Sequence, residues 1–139
     1  LQTLNEDTSK PYHAYDNNEV DDYTLYRKTD CCVDWASSAI DALPTAHRSI
    51  IGVAPPAAIV TPHTDQKDKI KIHIPIYADE THWWATADGL YHMHPGKAYI
   101  LDVSQMHGTM NCGHNTRVHV ILICYGDVFD EIYNLNLTI

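Results

Sequence analysis

The clearest hydrophobic pattern in the chain lies between Lys69 and Tyr77, where isoleucine alternates with other residue types. A period of two residues is typical of a β-strand, whose successive side chains point to opposite faces. We expect one face to pack into a hydrophobic layer and the other to present a cation and an imidazole to a polar cavity. The first face carries Ile70, Ile72, Ile74 and Ile76, and the second carries Lys71, His73, Pro75 and Tyr77.

Short apolar or alternating runs, separated by turn residues, continue along most of the chain. Asp88-Gly89 between two such runs is a strong hairpin signal. Seven or eight short strands with regular turns predict a sandwich or barrel. The predicted strands cover residues 50–53, 58–60, 69–77, 82–87, 90–94, 98–103, 108–111 and 117–125.

One segment has the periodicity of a helix. Apolar residues recur there at spacings of three and four, Asp30 offers an N-cap, and Pro44 follows the last apolar position. This pattern predicts one short amphipathic helix ahead of the strands. Its apolar positions are Val33, Ala36, Ile40 and Leu43.

The two ends of the chain have weaker patterns. Residues 1–22 are polar and acidic with little periodicity, and we expect them to be loosely ordered. Residues 23–27 alternate enough to predict an early strand. At the other end Leu135, Leu137 and Ile139 alternate with polar residues, which suggests an edge strand.

Length and composition limit the number of domains. A chain of 139 residues, 45% of them hydrophobic, is long enough for one well-buried core and too short for two ordinary domains. We therefore predict a single domain over residues 1–139, with its core at about 49–125.

Charge and cysteine content exclude some classes of protein. The net charge of −9 and the lack of clustered Lys or Arg argue against a nucleic-acid-binding surface. There is no apolar run of roughly 18 residues and no charged-then-apolar leader, so we expect a soluble protein without a membrane partner. The four cysteines have neither metal-binding spacing nor the density of a secreted scaffold, which favours the cytoplasm.

The most informative polar motif is His63-Thr64-Asp65. Ten histidines alone would not establish a metal site, so spacing has to decide. On an extended backbone His63 and Asp65 point to the same side with Cα atoms about 7 Å apart, which lets both side chains reach one ion. The alternative is a solvated pair of loop residues.

A metal ion needs a third ligand from a distant strand. His107 is the preferred candidate because it follows an apolar strand and precedes a glycine, although His92, His94 and His114 compete with it. Two histidines and one carboxylate form the facial set that suits non-haem Fe(II) and leaves positions open for chemistry.

Arg117 lies ten residues after His107, in a run of branched residues. It is either an exposed strand charge or an inward charge that needs a partner such as an anionic ligand. His119 shares its face and suits either a pocket or a core edge. Trp83-Trp84 places one indole on each face of a strand, so one could wall a substrate cavity, and we expect His82, His92 and His94 at the surface or in hairpins.

Taken in order, these motifs resemble the Fe(II)/2-oxoglutarate-dependent oxygenases, and among them most closely the aspartyl/asparaginyl β-hydroxylase and proline cis-4-hydroxylase branch. The resemblance covers roughly residues 50–125 and implies a mainly β, double-stranded β-helix (jelly-roll, cupin-like) fold. It rests on His63-Thr64-Asp65, residues 71–75, Gly96-Lys97-Ala98, residues 102–107 and Arg117-Val118-His119.

The resemblance also implies roles for individual residues. His63, Asp65 and His107 would be the catalytic iron ligands, and Arg117 would pair with the distal carboxylate of 2-oxoglutarate. His73 would help to hold this co-substrate, as would Lys71, which stands where the family often has arginine. Members of the aspartyl/asparaginyl branch may lack the carboxylate ligand, so its presence as Asp65 favours the proline-hydroxylase side.

The function implied is a dioxygenase that uses O2 and 2-oxoglutarate to hydroxylate a C–H bond of an amino acid or a peptide residue, releasing succinate and CO2. The short chain favours a small, amino-acid-like substrate over a large peptide. Two alternatives stay open: a cupin-like dioxygenase or isomerase that does not use 2-oxoglutarate, and a non-catalytic jelly-roll binding module.

Overall fold

The computed structural model of the protein describes residues 1–4, 7–9, 23–126 and 128–136, and strands dominate these ranges. The strands are β1 (Gln2–Thr3), β2 (Arg27–Lys28), β3 (His47–Ala54), β4 (Ile59–His63), β5 (Lys69–Tyr77), β6 (His82–Thr86), β7 (Gly89–Tyr91), β8 (Tyr99–Asp102), β9 (His107–Asn111) and β10 (Arg117–Tyr125). The helices are α1 (Asp34–Ala42) and α2 (Val128–Asn136), with a 3-10 turn at Tyr23–Leu25.

Two parts of the chain each pack within themselves. One comprises Leu1–Ile50 and Leu122–Ile139, and the other is Ile51–Ile121. The single domain predicted over residues 1–139 stays a prediction. In the described ranges, neither α-helix has the length and hydrophobicity that crossing a bilayer requires.

The unit Ile51–Ile121 is built from two antiparallel sheets. The strand order is β4-β9-β6-β7 in one sheet and β3-β10-β5-β8 in the other. Of β3 and β10, residues 51–54 and 117–121 belong to this unit. His73 on β5 lies edge-on against Trp84 on β6, with ring centroids 5.3 Å apart, so the two sheets face each other. This is the mainly β arrangement that the spacing of strands and turns predicts.

β5 has the predicted bounds, but its two faces differ from the expectation. Ile70 and Ile72 are buried, whereas Ile74 is half-buried and Ile76 is 46% exposed, so the isoleucine row is covered over only part of its length. His73 on the opposite row is 4% exposed. His73 therefore points between the sheets, where it contacts Trp84, while Tyr77 at the end of the same row is 48% exposed.

The hairpin at Asp88-Gly89 is confirmed. β6 and β7 pair antiparallel with Thr86 opposite Gly89 and Trp84 opposite Tyr91. Gly89 adopts a φ of 154°, which favours glycine because it lacks a Cβ. The hairpin places Trp84 and Tyr91 opposite each other on neighbouring strands.

Within the other unit, α1 begins later than predicted. The N-cap position is Val33, with no side-chain cap, and the carboxylate of Asp30 instead accepts a hydrogen bond of 2.6 Å from the Thr8 hydroxyl. The predicted cap at Asp30 is therefore wrong. The amphipathic pattern itself is confirmed, because Ala36 and Ile40 are the buried residues of the helix.

Val128–Asn136 form a helix, so the edge strand suggested by the alternation of Leu135, Leu137 and Ile139 is wrong as far as residue 136. Val128 and Ile132 are four residues apart, a helical spacing that the alternation further along obscures. Glu131 also anchors the helix, because its carboxylate accepts 3.0 Å hydrogen bonds from the backbone N–H and the hydroxyl of Thr45. The side chain of Leu135 and residues 137–139 lie outside the described residues.

Most of the N-terminal segment, residues 5, 6 and 10–22, also lies outside the described residues. Its first residues are ordered rather than loose. Gln2 and Thr3 form β1, pair with β2 and are buried. The early strand predicted at residues 23–27 is confined to β2, since Tyr23–Leu25 form the 3-10 turn.

Candidate metal centre and adjoining cavity

His63, Asp65 and His107 converge on one point, with one potential ligand atom from each lying within 4.8 Å of the others. Nε2 of His63 is 3.5 Å from Oδ1 of Asp65, and Nε2 of His107 is 3.7 Å from Oδ2. These three residues form the ligand cluster. The sequence prediction named the same three, and the structure brings them together.

Strand pairing explains how residues 44 positions apart in the sequence meet. His63 ends β4 and His107 begins β9, and the two are opposite each other in the antiparallel register, with ring centroids 4.4 Å apart. The register shifts between Val60 and His63, which marks a bulge or irregularity. Gly108 allows the strands to approach closely, because a Cβ there would lie 2.8 Å from the carbonyl oxygen of Val60.

Backbone carbonyls orient both imidazoles. Nδ1 of His63 lies 2.8 Å from the carbonyl of Thr61, and Nδ1 of His107 lies 2.8 Å from that of Gln105. A carbonyl only accepts, so each Nδ1 carries the hydrogen and each Nε2 of the neutral ring presents a lone pair to the cluster. Such a hydrogen bond is the usual outer support of a metal-binding histidine.

Asp65 is held from two directions. Its backbone N–H donates a 2.8 Å hydrogen bond to the carbonyl of Val103, and its side chain pairs with the ammonium of Lys71 through Oδ2. Lys71 therefore contacts the carboxylate of the ligand cluster. The role predicted for Lys71 in holding a co-substrate stays a prediction.

His73 and His119 form a buried pair beside the ligand cluster. Their Nδ1 atoms are 3.2 Å apart, so one ring donates and the other accepts. Burial, followed by the neighbouring His119, lowers the pKa of His73 well below its usual value, and burial together with Arg117 lowers the pKa of His119 to about 3. Both rings are thus neutral, and both Nε2 atoms are buried without a hydrogen-bond partner.

Arg117 is the third polar group of this buried region. Its side chain is 9% exposed, burial lowers its pKa, and its Nε has no hydrogen-bond partner. Among the residues that the structure describes, no carboxylate forms an ion pair with it. A buried guanidinium without a counter-charge is costly, so this site calls for an anion.

Two cavities border these groups. The smaller, of about 10 Å³, is lined by Arg117 and His119 together with Trp84 and Met93, and it has room for about one water molecule. The larger, of about 600 Å³, reaches His107 and shares Trp84 and Met93 with the smaller one. We call the larger one the His107 cavity.

Trp84 links the cavities to the ligand cluster. Its indole stacks on His107 with ring centroids 5.0 Å apart and an interplanar angle of 10°. Trp84 lines both cavities, whereas Trp83 lines only the smaller one and packs on His92 with centroids 3.8 Å apart. That one of these indoles walls a substrate cavity stays a prediction.

The competing histidines His92, His94 and His114 are not part of the ligand cluster, although His92 lines the His107 cavity. His82 is buried rather than at the surface. Both of its ring nitrogens have partners there, since Nδ1 accepts a hydrogen bond from the backbone N–H of Asp79 and Nε2 lies 3.2 Å from the carbonyl of Asn115. His94 and His114 are exposed, as is expected of hairpin and turn residues. The orienting carbonyls of Thr61 and Gln105 were not predicted, although each lies two residues before its histidine and that spacing is visible in the sequence.

Chemically, the ligand cluster offers two imidazole lone pairs and one carboxylate on one side of a point. This donor set suits a divalent transition metal and leaves coordination positions for other molecules. A candidate three-residue metal site therefore exists in this protein.

Comparison with known proteins adds to this geometry. The sequence model of the aspartyl/asparaginyl β-hydroxylase family matches residues 15–126. None of the curated proteins matches the chain.

Solved structures resemble the chain at low sequence identity. A predicted oxalate decarboxylase from Thermotoga maritima is 15% identical, with a TM-score of 0.50 over 64% of this chain and 73% of that one. The Cupin_2 domain of an XRE-family transcriptional regulator from Enterobacter cloacae is 14% identical, with a TM-score of 0.48 over 55% and 79%. A double-stranded β-helix protein from Klebsiella pneumoniae is 20% identical, with a TM-score of 0.47 over 57% and 63%. The two facing sheets and the first of these likenesses confirm the predicted fold.

Proposed function

This chain belongs to the aspartyl/asparaginyl β-hydroxylase family, and from that premise we propose that it is an Fe(II)- and 2-oxoglutarate-dependent dioxygenase. The resemblance that the sequence motifs showed is thereby confirmed at the level of the family. The substrate would be an amino acid or a peptide residue, hydroxylated at a C–H bond.

The observation that carries the proposal is the convergence of His63, Asp65 and His107. The donor set is the facial arrangement that suits non-haem Fe(II), and the carbonyl-bound Nδ1 atoms leave both Nε2 lone pairs available. These residues would hold the iron. Iron held there would supply the oxidative decarboxylation of 2-oxoglutarate to succinate and CO2, in which one oxygen atom of O2 would enter the substrate and the other would enter succinate.

Arg117 supports the co-substrate half of the proposal. A buried guanidinium with no carboxylate partner in the described part of the chain suits a bidentate pair with the distal carboxylate of 2-oxoglutarate. His73 and His119 offer one donor and one acceptor Nε2 in the same region. Since the cavity beside Arg117 holds about 10 Å³, binding there requires Trp84 and Met93, which line both cavities, to move.

The ligand cluster is tested by anaerobic titration with Fe(II) and 2-oxoglutarate. We expect a weak visible charge-transfer band, and succinate release once O2 and a substrate are supplied. His63→Ala or His107→Ala should lower iron affinity by more than the roughly 10–100-fold that loss of an outer hydrogen-bond partner of a ligand typically costs. His94→Ala is the matched control, because His94 is exposed and lies outside the cluster. Unchanged iron binding and turnover in both ligand variants would contradict the proposal.

The small cavity beside Arg117 also favours a second candidate: a cupin-like dioxygenase or isomerase that uses the same ligands without 2-oxoglutarate. Succinate release separates the two functions. Oxygen uptake or isomerisation that needs the metal but is unaffected by 2-oxoglutarate would support the second candidate.

A further inference from the structure

We infer that the His107 cavity accepts a substrate with a positively charged group on an apolar stem, such as a lysine or arginine side chain, rather than an acidic substrate. This inference deepens the proposed function and rests on it for the position of the chemistry. The free amino acid and the same residue in a short peptide share the recognised group, and the experiment below separates them.

The charges around the His107 cavity have one sign. Among its described lining residues, Asp88 and Asp102 are the charged ones, and no lysine or arginine lines it. Apart from the iron proposed beside His107, an anionic substrate group entering here would lose water without gaining a counter-charge from the lining. A cationic group would meet two carboxylates, and attraction of this kind sets specificity as well as the rate of encounter.

Asp102 is fixed as an anion. It ends β8, and its Oδ1 accepts hydrogen bonds from the backbone N–H of Ser104 at 3.0 Å and from the Ser104 hydroxyl at 2.6 Å. These bonds lower the pKa of Asp102. The Ser104 side chain thus holds one oxygen of the carboxylate and gives it a set direction at the cavity wall.

The rest of the lining suits the stem of such a substrate. Tyr91 and Met106 line the cavity, and each leaves about half of its surface exposed to solvent, at 51% and 50%. Trp84 and Tyr99 add aromatic surface. Aromatic faces attract ammonium and guanidinium groups, and the methylene stems of lysine and arginine pack on apolar surface.

The cavity is also in the right place for the reaction. His107 is part of its wall and of the ligand cluster, so a molecule in the cavity lies next to the proposed iron. Arg117 lines the other cavity, which keeps the cationic anchor for 2-oxoglutarate apart from the substrate. The family is named for aspartyl and asparaginyl substrates, and the acidic one of these would face two carboxylates here.

The first experiment measures binding and turnover with matched substrates. Lysine, arginine, aspartate and asparagine are supplied both as free amino acids and as the central residue of otherwise identical neutral peptides. Calorimetry on the full chain loaded with Zn(II) reports binding, and mass spectrometry with Fe(II), 2-oxoglutarate and O2 reports gain of one oxygen. We expect lysine or arginine to be preferred at least about tenfold over aspartate in both measurements.

Charge variants then locate the preference. Asp102→Asn should lower affinity for the cationic substrate several-fold, Asp88→Asn should do the same, and Asp102→Lys should shift the preference toward aspartate. Asp68→Asn is the matched control, since Asp68 is exposed and does not line the cavity. Unchanged preference in Asp102→Lys would overturn the assignment.

The outcomes keep the two proposals apart. Binding that favours cations without any consumption of 2-oxoglutarate would overturn the proposed function and support the substrate class. Consumption of 2-oxoglutarate with equal or greater preference for aspartate would support the proposed function and overturn the inference about the cavity.

Discussion

At the scale of single residues, the contact between Lys71 and Asp65 is the one with the most direct consequence for metal binding. The ammonium shares Oδ2 of Asp65 with Nε2 of His107, so it lies beside the position that a cation would occupy. We predict that Lys71→Met raises affinity for Zn(II) or Mn(II) in the absence of 2-oxoglutarate, by about tenfold, because a neighbouring like charge is removed. Titration against a fluorescent chelator measures it.

Two variants sharpen that prediction. Lys71→Arg keeps the charge and should leave metal affinity near that of the unmodified protein. Lys67→Met is the control: it removes an exposed lysine outside the cluster and should also leave metal affinity unchanged. If Lys71 also holds the co-substrate, Lys71→Met should weaken 2-oxoglutarate binding while metal binding improves. Weaker metal binding in Lys71→Met would show that the ammonium instead orients Asp65.

The buried imidazoles make stability depend on pH. In an unfolded chain His119 titrates near its ordinary pKa of 6.5, while burial lowers its folded pKa to about 3. Below pH 6.5 the unfolded state therefore binds more protons, so the contribution to stability is full above that pH and is lost as the pH falls toward 3. His73, with its pKa also lowered, acts in the same direction.

We therefore predict that the free energy of unfolding, measured with urea and a chelator present, is smaller at pH 5 than at pH 7.5. His119→Gln should reduce this difference because the substituted side chain does not titrate. His94→Gln, at an exposed position, should leave it unchanged. An equal pH dependence in all three proteins would contradict the assignment to His119.

Some residues of the candidate metal site could be predicted from the sequence and others could not. His63 and Asp65 follow from their two-residue spacing, and His107 from its place before a strand, because strand geometry links sequence position to side-chain direction. The contact of Lys71 with Asp65 and the stacking of Trp84 on His107 depend on rotamers and on which strands face each other. A pattern along one strand does not contain that information.

At the scale of elements, the close approach of β4 and β9 sets the distance between the two histidines. Gly108 follows His107, and a Cβ there would lie 2.8 Å from the Val60 oxygen and 3.2 Å from the Pro62 nitrogen. Backbone does not yield as a side chain would, so Gly108→Ala should push the strands apart. We predict a loss of about 1–3 kcal/mol in stability and weaker metal binding.

Chemical denaturation and metal titration of Gly108→Ala check this prediction. Gly126→Ala is the control, since a Cβ there would meet no heavy atom within 4 Å. Metal affinity that stays unchanged in Gly108→Ala would mean that the β4–β9 spacing does not determine the geometry of the ligand cluster.

Elements also show where pattern reading succeeds. β5 and β10 keep their predicted bounds because each is a long run of branched residues between turn signals. The edge strand suggested by the alternation from Leu135 to Ile139 is wrong as far as Asn136, where α2 ends, because alternation over five residues is too short to separate the two periods. The hydrogen bonds from Thr45 to Glu131 of α2 come from a residue 86 positions away. Contacts of that range override local preference.

At the scale of the whole molecule, the number and order of strands predict a mainly β fold, and the resemblance of the motifs implies the double-stranded β-helix. The volumes of the two cavities could not be predicted, since they depend on the positions of Trp84 and Met93, which line both cavities. Membership of the family and the cavity lining thus give different information: the first supports the proposed reaction, and the second supports the proposed substrate class.

Ligand binding to the folded state alone must raise the stability of the whole protein. If His63, Asp65 and His107 bind a divalent metal, Zn(II) or Mn(II) at about 100 times its Kd contributes about 2.7 kcal/mol, which for a chain of 139 residues raises Tm on the order of 10 °C. A chelator should reverse the shift, and 2-oxoglutarate should add a second shift only when metal is present.

Arg117→Ala should keep the first shift and lose the second, because the guanidinium is proposed to bind the co-substrate and not the metal. Scanning calorimetry measures all three effects, and loss of both shifts in Arg117→Ala would show that Arg117 supports the fold of the site rather than anchoring the co-substrate.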